Sequence, residues 1–291
     1  MRKTSETIGG AVTILNATVT GIGAAMGILE FSKINIEENK GIMFDIFPPI
    51  SDGRLLEACL SVFAERTGIV PNDIKITTES PFPPEKGLKT SSAISTGAIK
   101  ALADYYEVEI PIEKLLEYSA EASINAGVSL TGAYDDAAAC YFGGVAYTDN
   151  NKKEILSLMN SPKGFDIILL VPPESLPKNK VNVEKVDKVL VKEAMEAFEK
   201  RKLFEAIYYN TLAFGQVLLP NFEHVERLEA LGAEIVGLNG TGPSLFAFIQ
   251  PSKSEQFIEL VEATGHYTTI KTKPRPLTKK GLEVYYNVDN P

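Results

Sequence analysis

The chain has no tryptophan, only two cysteines and only two histidines in 291 residues. Each shortage excludes something. Two thiols cannot build a disulfide framework, and a chain of this length does not need one to bury a core. Cys59 sits among Leu55, Leu56, Val62 and Phe63, and Cys140 follows a run of alanines, so both read as small buried hydrophobes in a reducing cytoplasm. No cysteine or histidine spacing fits a metal-ligand set. His224 and His266 lie in polar stretches, and no nucleophile elbow accompanies them, so a Ser-His-Asp triad has no support.

Positive charge is also short. Lysine and arginine number 29 against 38 acids, a net charge of −9. No basic stripe offsets that balance, which argues against a nucleic-acid partner. A long apolar run is missing too. Residues 7–29 carry no charge, but Asn16, four threonines and five glycines dilute them. They read as strands joined by a glycine turn rather than as a membrane span or a signal peptide. Two phosphate signatures are absent: there is no Gly-x-x-x-x-Gly-Lys-Ser/Thr loop, and no His-Arg-Asp or Asp-Phe-Gly pair.

Hydrophobic residues at 44% and charged residues at 23% are ordinary for a globular chain of one large domain or two intimate lobes. Strand patterns run over 11–19, 24–30, 33–37 and 74–78. Helical spacing covers 53–66, the stretch from Thr90 to about 105, and 112–125. The polar run Asp149-Asn150-Asn151-Lys152-Lys153 reads as a turn and as the boundary between lobes 1–150 and 151–291. Beyond it the pattern predicts strands at 166–171, 233–238, 245–249, 267–271 and 282–286, with helices at 184–200, 203–218 and 255–264. The fold class is α+β, in two lobes with the ligand in the cleft.

The most informative stretch is Pro84-Glu85-Lys86-Gly87-Leu88-Lys89-Thr90-Ser91-Ser92-Ala93. Pro83, Pro84 and Gly87 break regular structure, and Thr90, Ser91 and Ser92 suit the start of a helix. A helix start offers unpaired N–H groups and the positive end of a dipole, so this loop is a candidate phosphate cradle. A second hot spot is Thr131-Gly132-Ala133-Tyr134-Asp135-Asp136. Its two acids stand in an otherwise uncharged segment from 127 to 144, where ionised groups are unfavourable unless paired or used.

With the late element Leu238-Asn239-Gly240-Thr241-Gly242-Pro243-Ser244 and the early glycine-rich run from Ile8 to Gly27, these motifs resemble the GHMP small-molecule kinases. Gly87 to Ala93 and Thr131 to Asp136 are most similar to the archaeal-type shikimate kinases within that family. The resemblance implies an ATP- and Mg²⁺-dependent kinase with a two-lobed fold. It assigns Pro84, Gly87, Leu88, Lys89, Thr90, Ser91, Ser92, Ala93, Gly240 and Gly242 to the nucleotide. It makes Ser92 and Glu121 the magnesium ligands, and Asp135 the residue that handles the acceptor hydroxyl. Asp136 is the neighbouring candidate, because the motif carries one residue more than the common family form. Thr131, Gly132 and Asp136 would line the acceptor site. Shikimate carries a carboxylate and three hydroxyls, so a cation is needed in the cleft. Arg275, between Pro274 and Pro276, is the expected one, with Lys3, Lys86 and Arg54 as rivals. A homoserine or mevalonate-type kinase, or a catalytically dead relative, are the other readings.

Overall fold

The computed structural model describes residues 2–49, 52–83, 86–174, 182–219 and 221–283. The first sheet combines β1 (Lys3–Leu15), β2 (Ile22–Glu38), β3 (Met43–Phe47), β4 (Ile74–Glu79), β5 (Val145–Asp149) and β6 (Glu154–Met159). Their order is β3-β4-β2-β5-β6, with β1 paired to β2 along nearly its whole length. Four helices pack on one face: α1 (Arg54–Thr67), α2 (Thr90–Tyr105), α3 (Ile112–Asn125) and α4 (Tyr134–Phe142).

The second sheet runs β10-β7-β9-β8, from β7 (Asp166–Val171), β8 (Ile235–Leu238), β9 (Leu245–Ile249) and β10 (Thr268–Thr272). Its helices are α5 (Lys188–Glu199), α6 (Leu203–Leu218), α7 (Glu223–Ala230) and α8 (Ser254–Ala263). Alternation along these strands places their side chains. Ile167, Leu169, Phe246 and Phe248 face the first lobe, while Ile168, Leu170, Leu245 and Ala247 face the second lobe's own helices.

The uncharged run of 7–29 now has a cause. β1 and β2 lie between two cores. Ile8, Ala11 and Ala25 face α1–α4, and Val12, Ile14, Met26 and Ile28 face the second sheet. A strand covered on both faces reads as a continuous apolar run, with no polar alternation. The two strands expected over 24–30 and 33–37 form the single β2. No helix of the described residues is long and apolar enough to cross a membrane.

Three expectations are corrected here. The break expected at residue 150 does not end the first lobe's sheet, because β6 continues it in antiparallel pairing with β5. The tail also returns to that lobe. Arg275 N–H donates to Gly27 O at 2.8 Å, and Leu277 joins the first core. Finally, 282–283 belong to a helical turn over 279–283 rather than to a strand, and the rest of that expected strand lies outside the described residues. Both cysteines are free and buried, and burial pushes the Cys59 thiol up to about 12.

Candidate functional site

The helix α2 starts without a cap. Lys89, the residue before it, has left-handed backbone (φ 60°) and makes no side-chain capping bond. The first intrahelical bond runs from Ala93 N–H to Lys89 O at 3.1 Å. The N–H groups and hydroxyls of Thr90, Ser91 and Ser92 have no hydrogen-bond partner among the described residues. Helix starts are ordinarily satisfied by a side-chain oxygen. One that keeps three N–H groups and three hydroxyls open, at the positive end of a sixteen-residue helix, is suited to an anion.

The loop before α2 is held against the late glycine loop. Gly87 has φ 80°, and a β-carbon there would stand 2.6 Å from Asn239 O and 2.9 Å from Gly242 O. Only glycine permits both the conformation and the approach. Ser244 N–H donates to Lys86 O at 3.3 Å, and Lys86 Nζ donates to the carbonyls of Pro173 and Glu174. Gly240 is fixed from β1: its N–H donates to Thr13 Oγ1 at 2.8 Å, and its carbonyl accepts from Asn16 Nδ2 at 2.9 Å. Gly87, Leu88, Lys89, Thr90, Ser91, Ser92, Ala93, Gly240 and Gly242 are thus gathered at one junction of the two lobes. Pro84 lies outside the described residues.

The acids of α4 reach the same junction. Lys89 Nζ donates to Asp136 Oδ2 at 2.9 Å, from a half-buried lysine to a buried acid. The same Nζ would lie 3.4 Å from a β-carbon at Gly240. Asp136 Oδ1 is buried and has no hydrogen-bond partner among the described residues. A buried carboxylate oxygen without a donor is costly.

Asp135 is held differently. Its Oδ1 accepts from Asn150 Nδ2 at 2.8 Å, and its backbone N–H donates to Asn150 Oδ1 at 3.2 Å. Its Oδ2 faces the start of β2, where a β-carbon on Gly23 would come within 2.6 Å. Burial, then the neighbouring Asp136 charge, push the Asp135 carboxyl up to about 7. Thr131 Oγ1 accepts from Ala133 N–H at 3.3 Å and from Asn150 Nδ2 at 3.4 Å, so Thr131 and Gly132 shape the approach to α4.

Two expected site residues are turned elsewhere. Glu121 is clamped by Arg66, with Nη2 to Oε1 at 2.9 Å and Nε to Oε2 at 3.1 Å. The face of α3 toward α2 is made by Ser119 and Ser123, which meet Ser95 and Thr96. Glu121 lies two residues from each, on the opposite side of the helix. It is removed from the magnesium set by orientation, and no group of three or more His, Cys, Asp or Glu that could hold a metal exists among the described residues.

Arg275 is buried, but its guanidinium closes the end of α4. Nη1 donates to Cys140 O at 2.9 Å and Nη2 to Tyr141 O at 2.7 Å, over the Phe31 ring. A cation there satisfies carbonyls that the helix leaves open and matches its negative end. It is a structural cap rather than a substrate clamp. Arg275→Met is therefore expected to lower the thermal midpoint, with about 1–3 kcal/mol lost for each carbonyl left dry. The acceptor KM of the folded variant should stay at the wild-type value. A selective rise in acceptor KM at unchanged stability would return Arg275 to the substrate site.

Sequence reasoning missed Asn150, Asn239, Thr13 and Asn16. Asn150 is buried and also accepts from Thr148 Oγ1 at 2.7 Å. In one dimension it sits in a polar run that reads as a turn. Only the return of β5 beside α4 reveals its partner.

The geometry has counterparts among known proteins. Residues 54–144 match the family model described as the GHMP kinases N terminal domain. A protein named shikimate kinase from Pyrococcus furiosus is 34% identical over 253 residues, covering 84% of this chain and 92% of its own. One of the same name from Thermococcus kodakarensis is 32% identical over 269 residues, covering 90% and 97%. The fold is similar to homoserine kinase from Cytophaga hutchinsonii, with a TM-score of 0.72 at 15% identity over 93% of this chain and 95% of that one. It is also similar to the Methanococcus jannaschii mevalonate kinase, with a TM-score of 0.73 at 15% identity over 93% and 98%. An open helix start pinned to a late glycine loop, beside a helix that opens on two acids, together with relatives this similar along most of their length, places the chain in the GHMP kinase family.

Proposed function

We propose that this protein transfers the γ-phosphoryl group of ATP to a hydroxyl of shikimate. The observation that carries the reading is the meeting of the open α2 start with the buried Lys89–Asp136 pair. Phosphoryl transfer asks a protein mainly for positioning and charge neutralisation. The N–H groups and hydroxyls of Thr90, Ser91 and Ser92 take phosphate oxygens, and Lys89 lies beside them. The choice of shikimate rests on relatives of that name matching over most of the chain.

Asp136 receives the acceptor. Its unpartnered Oδ1 accepts the acceptor's O–H, and Lys89 holds its other oxygen. As the acceptor oxygen bonds to the γ-phosphorus, the bond from that phosphorus to the β–γ bridging oxygen breaks. ADP leaves, and the hydroxyl proton passes to the carboxylate. This moves the central role from Asp135, expected from the motif, to its neighbour. A second reading keeps Asp135 as the base, because a carboxyl held near 7 suits proton transfer at neutral pH.

Mg²⁺ fits the donor set in part. Ser92 Oγ is free to ligate, and the ion favours few protein oxygens together with phosphates and water. Bound there, it would neutralise charge on the phosphates. Ser92→Ala is expected to leave the fold intact at a cost of at most about 1 kcal/mol. Use of Mg·ATP should weaken strongly, so that turnover needs more magnesium and nucleotide. Normal activity at ordinary magnesium concentration would remove Ser92 from the metal.

The deciding experiment is an acceptor panel. Shikimate, homoserine, mevalonate and galactose are each incubated with ATP, Mg²⁺ and purified protein, and ADP release is followed. Turnover is expected with shikimate. Clear turnover of another alcohol and none of shikimate would overturn the acceptor. No turnover with any would favour a dead relative.

A further inference from the structure

Asn150 follows the last residue of β5 and is 2% exposed. All four hydrogen-bonding positions of its amide are taken. Oδ1 accepts from the Asp135 N–H at 3.2 Å and from Thr148 Oγ1 at 2.7 Å. Nδ2 donates to Asp135 Oδ1 at 2.8 Å and to Thr131 Oγ1 at 3.4 Å. A backbone N–H can only donate, so the amide oxygen must face it and the nitrogen must face the carboxyl. The Asn150 N–H in turn donates to Gly21 O at 2.8 Å, in the turn between β1 and β2.

This one side chain therefore ties together three segments around the acids. α4 has no cap of its own: Ala133, the residue before it, has φ 51° and makes no side-chain capping bond. Asn150 supplies the missing acceptor from outside the helix, at its second residue. The same amide holds Asp135 Oδ1, which leaves Oδ2 turned to Gly23 and Ala17. Asp136 comes next on the helix, so its direction depends on the same anchor. None of the hydrogen bonds of Asn150 goes to the phosphate loop or to the late glycine loop.

We propose that Asn150 is a positioning residue for the acceptor. It fixes the direction of the Asp135 carboxyl and its distance from Thr131, and through the start of α4 it sets where Asp136 presents its open Oδ1. The inference rests on the kinase reading above, in which α4 and Thr131 form the acceptor side. Aspartate has the shape but not the N–H donors, and alanine has neither.

The test compares Asn150→Ala and Asn150→Asp with wild type, using ATP and shikimate, or whichever other alcohol of the panel wild type turns over. In Asn150→Ala the Asp135 carboxyl is free to turn. The acceptor kcat/KM is expected to fall roughly 10- to 100-fold, the effect of a lost bond to a charged group or of a misplacement of about 1 Å. The KM for ATP should stay at the wild-type value. Asn150→Asp keeps both accepted bonds, but its carboxyl faces Asp135 Oδ1, with Asp136 and Lys89 the other charges beside Asp135. Two carboxyls this close cannot both ionise, and a proton shared between them replaces the lost N–H. Relative to wild type, the acceptor kcat/KM of Asn150→Asp should therefore recover at about pH 6 and decline toward about pH 9, as that proton is lost. Asn150→Ala should show no such recovery. A purely structural asparagine would lower the thermal midpoint of both variants and leave the acceptor kinetics of the folded proteins unchanged. That result, or an equal loss toward ATP and acceptor, overturns the positioning role while the kinase reading stands. If wild type phosphorylates none of the alcohols, the kinase reading falls and takes the positioning role with it.

Discussion

Asp136→Asn is expected to lower turnover by roughly 10²- to 10⁴-fold, the usual range for a positioned acid–base group. The amide keeps the shape and can still accept from Lys89, but it cannot take a proton. ATP affinity should change little, because the phosphates are assigned to α2. Asp135→Asn should cost much less, since its Oδ1 contact to Asn150 survives in the amide. The pH dependence is a second test of Asp135 as the base. Asp135 stays protonated up to about 7, so a reaction using it as base would be slow in acid and rise to a plateau above that pH. A dead Asp135→Asn enzyme, an active Asp136→Asn enzyme and a kcat that climbs through pH 7 would together restore Asp135 as the base.

The second large effect concerns Lys89. Its pair with Asp136 is largely withdrawn from water, the side chains being 10% and 5% exposed. Removing one partner of such a pair strands a charge and typically costs about 3–5 kcal/mol. Lys89→Met should therefore lose stability of that order as well as activity. The double variant Lys89→Met/Asp136→Asn should recover most of the stability, because no charge is left stranded, and none of the activity. Denaturant unfolding of the three proteins checks the first part, and ADP release checks the second. If Lys89→Met is as stable as wild type, the ion pair contributes little. If it is also active, the loop holds phosphate through its backbone alone.

Both predictions turn on a contact that joins residues 47 apart in the chain, and this shows where sequence reasoning stopped. The strands Asp166–Val171 and Leu245–Ile249 and the helix Leu203–Leu218 have the bounds expected from their apolar period. Local rules sufficed there, because one strand face or helix stripe meets each core. The phosphate loop and the acid pair were legible for another reason. Open hydroxyls after a glycine turn, and charges in an uncharged segment, are anomalies visible in one dimension.

Orientation was not legible. Glu121 and Arg275 have the composition of site residues. Yet Glu121 is two residues from the face of α3 that meets α2, and Arg275 is spent on the carbonyls of α4. Asn150 reads as a turn residue until β5 brings it to Asp135. The sequence by itself determined the family, the α+β class, most element bounds and the stretches where the chemistry lies. These depend on neighbours a few residues apart. The tertiary structure alone decided which acid the lysine neutralises, which cations are engaged elsewhere, and that the first sheet runs past residue 150. Each of those depends on contacts between segments tens to hundreds of residues apart, which no local pattern encodes.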